Sequence, residues 1–324
     1  MADWKFPLVP GPAAGSKATG KVDWGDPVLV GWEWPYVAVN GAQSGPAVLV
    51  TAGIHGSEYD SIDAVVRLGA ALDPKTVKGQ VLCLPVMNPP AFWERTAYVS
   101  PVDNLNLNRV FPGKAKGSFS ERLAYQLVEK AIRGADAYID MHGGDVPEAL
   151  VPFNIYHETG NAEVDAKSRQ MAEVFGAPAV IVQRSHDAPV SGLAYATAAG
   201  LGVPAMIAED GGAGQYDSAI AERMLGGLEN VLRSLEVIPG SLRNPPPPRR
   251  FGRFAWVRTR EAGFFRPAIK VGDEVAAGQN LGSLVDFYGR VIEELAAPDK
   301  GQILFMLVSP AIAKNGLVCG VGVE

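Results

Sequence analysis

The fold is legible first in the stretch Ala47-Val-Leu-Val-Thr-Ala-Gly-Ile-His-Gly-Ser-Glu58. Its opening six residues are a short β-rich apolar run. The residues that follow, Ile62, Val65, Val66, Gly69 and Leu72, recur at helical spacing on one apolar face. A strand that is apolar at consecutive positions is covered on both faces, and a helix directly after it makes a strand–helix unit of a parallel sheet. The same alternation runs outward, with strands expected over 81–87, 137–141, 150–156, 179–183 and 205–208. A second helix opens at Ser118-Phe-Ser-Glu121, which has the form of a capping box, and continues through Leu123, Leu127 and Ile132. The expected class is α/β, a mostly parallel mixed sheet with helices on both faces.

The run Arg243-Asn-Pro-Pro-Pro-Pro-Arg-Arg250 ends this pattern, because four prolines cannot continue a helix and favour an extended spacer. A domain of residues 1–242, a linker of 243–250 and a β-rich domain of 251–324 are expected, the last with strands over 254–257, 264–269, 280–285 and 303–308. The chain has 324 residues, 47% of them apolar and 20% charged, which is globular composition. Its net charge of −6 offers no electrostatic footprint for nucleic acid or an anionic membrane, so neither is an expected partner. The uncharged stretch 188–208 contains Pro189, Gly192, Gly200, Gly202 and Pro204, and reads as a short Ala-rich helix, a turn and a buried strand. Met1-Ala-Asp-Trp-Lys-Phe6 carries no secretory signal, and Cys83 and Cys319 form no framework, so a reducing cytoplasm is the expected compartment.

Four blocks carry residues suited to chemistry. His55 and Glu58 stand three apart where the first strand passes into its helix, the end at which doubly wound sheets bind ligands. Both can face one zinc ion, although Glu58 could equally serve the helix dipole. Asp140-Met-His142-Gly-Gly144 ends another apolar strand. There His142 would complete a His, Glu, His set, with the two glycines letting backbone approach a ligand. Asn108-Arg109, inside Asn106-Leu-Asn-Arg-Val-Phe-Pro-Gly113, pairs an amide with a guanidinium fork suited to a carboxylate; a solvated loop is the alternative. Glu209-Asp-Gly-Gly212 ends the last apolar strand, where a carboxylate beside an activated water can act as general base.

Taken in this order, with Arg95 ahead of the Asn-Arg block, the four blocks resemble the succinylglutamate desuccinylase/aspartoacylase family of zinc amidohydrolases, related in fold to the zinc carboxypeptidases. The resemblance covers residues from about Pro46 to Gly214. It implies one zinc ion per chain on His55, Glu58 and His142, Arg95 polarising the scissile carbonyl, Asn108 and Arg109 holding the substrate carboxylate, and Glu209 as general base. Ser57 stands where the family often has an acid, which leaves the ligand set intact. The implied activity is deacylation of an N-acyl amino acid or a related small carboxylate, with a small-peptide carboxypeptidase and a silent metal- or ligand-binding homologue as alternatives. Self-association stays open. The stretch Val271-Gly-Asp-Glu-Val-Ala-Ala-Gly278 resembles a turn of biotinyl/lipoyl domains, but Phe287-Tyr-Gly-Arg290 stands where an attachment lysine would, which implies a structural β-domain with Tyr288 near the cleft. His157 and His186 are expected to be structural or solvent-facing.

Overall fold

Continuous apolar runs become the central strands of one large sheet. In the computed structural model, which describes residues 3–184 and 191–324, the elements begin with β1 (Ser16–Lys21), β2 (Pro35–Asn40), β3 (Gln43–Ala52), α1 (Tyr59–Ala71), β4 (Lys78–Leu84), α2 (Pro89–Glu94) and α3 (Phe119–Lys130). They continue with β5 (Ala137–His142), β6 (Glu148–Leu150), β7 (Phe153–Glu158), α4 (Ala162–Phe175), β8 (Ala179–Arg184), α5 (Ala194–Gly200), β9 (Ala205–Glu209), α6 (Ser218–Ser234) and β10 (Arg249–Phe251). Nine strands form the sheet in the order β1-β2-β4-β3-β5-β9-β7-β8-β10. The β4-β3-β5-β9 centre is parallel, β7 runs antiparallel to β9, and β1 and β2 add an antiparallel edge. Helices α1, α4 and α6 cover one face through Val65, Leu68, Met171, Met224 and Leu228. Helices α3 and α5 cover the other, where Trp24 and Trp34 are buried in the core with their rings 5.7 Å apart.

The expected alternation and capping box are present. Two strand limits differ for one reason. Pro85 closes β4 at Leu84 instead of 87, and Pro152 divides the run expected over 150–156 into β6 and β7, because proline has no N–H to give a ladder. The division matters, since β6 leaves the large sheet and pairs with the C-terminal region. That region contains β11 (Arg253–Arg258), β12 (Gly263–Pro267), β13 (Glu274–Val275), β14 (Asn280–Val285), β15 (Val291–Ala296), β16 (Gly301–Leu307), β17 (Ala311–Ile312) and β18 (Leu317–Val323). Its two antiparallel sheets run β11-β18-β16-β13, with β6 joined to β16, and β15-β14-β12-β17. The Pro-rich run leads into β10, which adds a parallel edge strand beside β8, so the chain crosses from one region to the other along the large sheet.

Candidate active site

The carboxyl ends of β3, β5 and β9 lie side by side, with Thr51 opposite Asp140 and His142 opposite Glu209. Gly53, at φ 66°, turns the chain out of β3. Glu58 then occupies the position just before α1, and its carboxylate bonds none of that helix's N–H groups. It faces the histidines instead: His55 Nδ1 is 2.7 Å from Glu58 Oε1, and His142 Nδ1 is 2.9 Å from Glu58 Oε2 without hydrogen-bond alignment. Of the far ring nitrogens, His55 Nε2 is 3.1 Å from Asn106 Oδ1, and His142 Nε2 lies 3.3 Å from Asp140 Oδ2 without hydrogen-bond alignment. Thr51 donates to the other Asp140 oxygen at 2.8 Å.

One ligand atom from each of His55, Glu58 and His142 lies within 4.8 Å of the others, and all three residues are buried. Burial opposes ionisation of Glu58, but the two rings outweigh it and hold the carboxyl down at about 2. Burial likewise opposes a charge on His142, while Asp140 and Glu58 push its pKa well above the usual value. The group therefore draws positive charge, which a divalent ion supplies as well as a proton does. Two imidazoles and a carboxylate, with an outer oxygen on the His55 ring and the Asp140 carboxylate beside His142, fit zinc.

Loop 103–113 is fastened at its start and at its middle. Asp103 accepts from Ser118 Oγ (2.7 Å) and the Ser120 N–H (2.8 Å) at the start of α3. Asn108 Oδ1 accepts from the Ala194 N–H at the start of α5 (2.9 Å). Asn108 and Arg109 line a cavity of about 490 Å³ that also takes in His55, Glu58, His142 and Glu209. Arg109 faces the solvent of the cavity, the cavity walls partly desolvate it and lower its pKa, and Nη1 donates to the Asn108 carbonyl (2.6 Å). Burial, reinforced by Glu58, Glu148 and Asp140, raises the Glu209 carboxyl well above its ordinary range despite His142. The opposite wall comes from the C-terminal region, with Phe254, Trp256 and Phe305 packed at centroid distances of 5.2–5.8 Å.

Residues 44–235 match the succinylglutamate desuccinylase/aspartoacylase catalytic domain. The chain belongs to this family. A relative from Halomonas elongata, N-alpha-acetyl-L-2,4-diaminobutyric acid deacetylase, is 31% identical over 252 residues, 75% of this chain and 71% of that protein. The solved succinylglutamate desuccinylase/aspartoacylase of Rhodobacter sphaeroides aligns with TM-score 0.78 at 29% identity, over 89% of each chain. The product-bound ectoine utilization protein EutE (DoeB) of Ruegeria pomeroyi aligns with TM-score 0.87 at 25% identity, over 98% of each. The aspartoacylase-like fold thus accounts for both regions of the chain.

Six of the seven residues singled out in sequence line this family cavity, and the structure does not bring the seventh there. Arg95 is exposed at the end of α2, in a left-handed conformation at φ 56°. The glycines after His142 and Glu209 are required by packing, and Gly143 also lines the cavity. A Cβ on Gly143 would meet the Asp210 carbonyl at 2.3 Å, and one on Gly144 or Gly212 the Glu148 carbonyl at 2.4 or 2.5 Å, so they let two loops pack backbone to backbone. Tyr288 is exposed on the β14–β15 turn, away from the cavity lining. His157 is buried in β7 beside the Gln183 carbonyl (3.1 Å), and His186 lies outside the described residues. Burial pushes the Cys83 and Cys319 thiols up to about 12. Sequence reading missed Tyr98, Glu148 and the aromatic wall. Only their positions in the fold mark them, since an isolated Tyr or Glu in a loop has no motif.

Proposed function

We propose that this protein is a zinc-dependent amidohydrolase that removes the acyl group of an N-acyl amino acid bearing a free carboxylate. The observation that carries the reading is the register of β5 and β9, which sets Glu209 beside His142 in a cavity that also holds Arg109. His55, Glu58 and His142 would hold the ion, which when bound polarises the acyl carbonyl and acidifies the attacking water. Asn108 and Arg109 hold the substrate carboxylate, the guanidinium making a two-point contact. Glu209 takes a proton from the attacking water and returns it to the departing amine. Asn106 is a positioning residue that holds the His55 nitrogen facing away from Glu58, and Asp140 sets a negative charge beside His142. The Halomonas relative, a deacetylase of an Nα-acetylated amino acid, supports this substrate class. For Arg95 we retain a role at the scissile carbonyl only if substrate draws the end of α2 inward. The two buried, unpaired cysteines suit a cytoplasmic setting.

Glu209→Gln tests the reading. Hydrolysis of N-acetyl amino acids at saturating substrate is expected to fall by roughly 10²–10⁴-fold, the usual contribution of a general base, with metal content unchanged. Full activity would remove Glu209 from the mechanism. Loss of metal would make it a ligand instead.

A further inference from the structure

The C-terminal region presents an aromatic surface to the cavity that none of the roles assigned above uses. Strand β11 alternates: Ala255 and Val257 enter the core of the C-terminal region, which turns Phe254, Trp256 and Arg258 to the other face. Gly320 of β18 stands opposite both Trp256 and Phe305 in register, and a Cβ there would meet Phe305 Cε1 at 2.1 Å. The missing side chain lets the Phe305 ring lie on β18 beside the indole, with centroids 5.5 Å apart. Phe254 joins this pair to the large sheet through Phe153, 5.8 Å away, and Phe153 is the β7 partner of Glu209. Phe305 is buried and Phe254 packs against the core of the large sheet, so these two rings seal the seam between the regions. Trp256 is only half-buried, and Leu317 of β18, also half-buried, shares the cavity lining with it.

Apolar surface that faces water inside a cavity stabilises an apolar group that comes to cover it. Which part of the substrate does so follows from Arg109. The charges that bear on its guanidinium include Glu209 and Arg258, the latter from the β11 face that carries Trp256. The aromatic surface therefore lies on the Arg109 side of the cavity. In an N-acyl amino acid the α-carbon and its side chain adjoin the carboxylate, whereas the acyl chain leaves in the opposite direction, beyond the scissile carbonyl. A cavity of about 490 Å³ has room for a large side chain beside that carboxylate. The indole is tilted by 40° to Phe254 and by 56° to Phe305, so an incoming ring can meet both edges and faces. We infer that Trp256 and Leu317 are specificity-determining residues that receive the side chain of the amino acid, so that the preferred substrates are N-acyl derivatives of aromatic and large aliphatic amino acids. The inference rests on the reading under Proposed function and assigns it a substrate class.

The test compares Nα-acetylphenylalanine with Nα-acetylalanine on the zinc-loaded protein. Burial of the ring predicts roughly a 10–100-fold preference in kcat/KM for the phenylalanine derivative. In Trp256→Ala that ratio is expected to fall to about threefold or less. Leu317→Ala, a smaller change that serves if the first variant does not fold, should lower it roughly threefold. N-hexanoylalanine against Nα-acetylalanine separates the two ends of the substrate, and equal values are expected. Equal kcat/KM for the two acetyl substrates, a preference unchanged in either folded variant, or a preference that follows the acyl chain instead would overturn the assignment and leave the amidohydrolase reading standing. So would a preference for Nα-acetyl-2,4-diaminobutyrate over Nα-acetylphenylalanine. If no substrate is hydrolysed, that reading fails, and calorimetric titration of free phenylalanine against alanine decides alone. Tighter phenylalanine binding that weakens in the variants supports the inference; equal binding, or a difference the variants keep, refutes it.

Discussion

Arg109 and Glu148 bring opposite charges into one cavity, and each gives a residue-scale prediction. Truncating one partner of a desolvated charge pair costs about 2–5 kcal/mol. Arg109 stays open to the solvent of the cavity, so Arg109→Ala belongs near the lower figure, about a thirtyfold rise in KM. Arg109→Lys should recover little of it, since an ammonium cannot make the two-point contact. Measuring both variants against the same substrate with its carboxylate amidated checks this: a variant that still discriminates acid from amide as the parent does would place the clamp elsewhere. Glu148 carries a pH prediction. Burial, only partly offset by Tyr98, pushes its carboxyl up to about 7 from an ordinary value of 4.5. In the metal-free protein the folded state therefore keeps this proton over a window in which the unfolded chain has lost it. Stability falls as pH rises from about 4.5 to about 7 and is level above. Glu148→Gln removes that penalty, so its Tm should exceed the parent's at pH 8 and match it near pH 4. A constant difference across that range would contradict the assignment.

Among the elements, the loops after β5 and β9 are joined through glycines. A methyl on Gly144 would meet only backbone, the Glu148 carbonyl at 2.4 Å and Gly212 Cα at 2.9 Å, so no flexible side chain can yield. Gly144→Ala should cost about 1–3 kcal/mol by overpacking and disturb the placement of Glu148. Gly200, at the end of α5, meets nothing within 4 Å, and Gly200→Ala should be neutral or stabilising by about 0.4–1 kcal/mol. Thermal unfolding of the two variants checks the contrast, and equal losses would remove the packing argument. The Gly-Gly pairs were visible in the sequence but their purpose was not, because a close approach between loops 68 positions apart leaves no local pattern. The capping box of α3, by contrast, is a spacing within four residues and was legible in full.

At the scale of the whole molecule, the two regions share structure. Strand β6 pairs with β16, and Phe251 and Leu304 lie in the same buried cluster as Leu49 and Tyr138 of the large sheet. Calorimetry should record one cooperative transition, with the van't Hoff enthalpy equal to the calorimetric one. Two resolved transitions would show that the regions are independent. This joining also divides the features that neighbouring residues encode from those that arise only on folding. The alternation of elements, the end of that pattern at the proline run, and the His55–Glu58 and Asn108–Arg109 blocks were readable because periodicity, capping and short ligand spacings are properties of neighbouring residues. The register of His142 with Glu209, the outward position of Arg95, and the cavity wall of Phe254, Trp256 and Phe305 were not. Each depends on which strands and loops become neighbours. The burial and charge environment that turn Glu148 from a loop acid into a cavity carboxylate exist only once β6 has left the large sheet for β16.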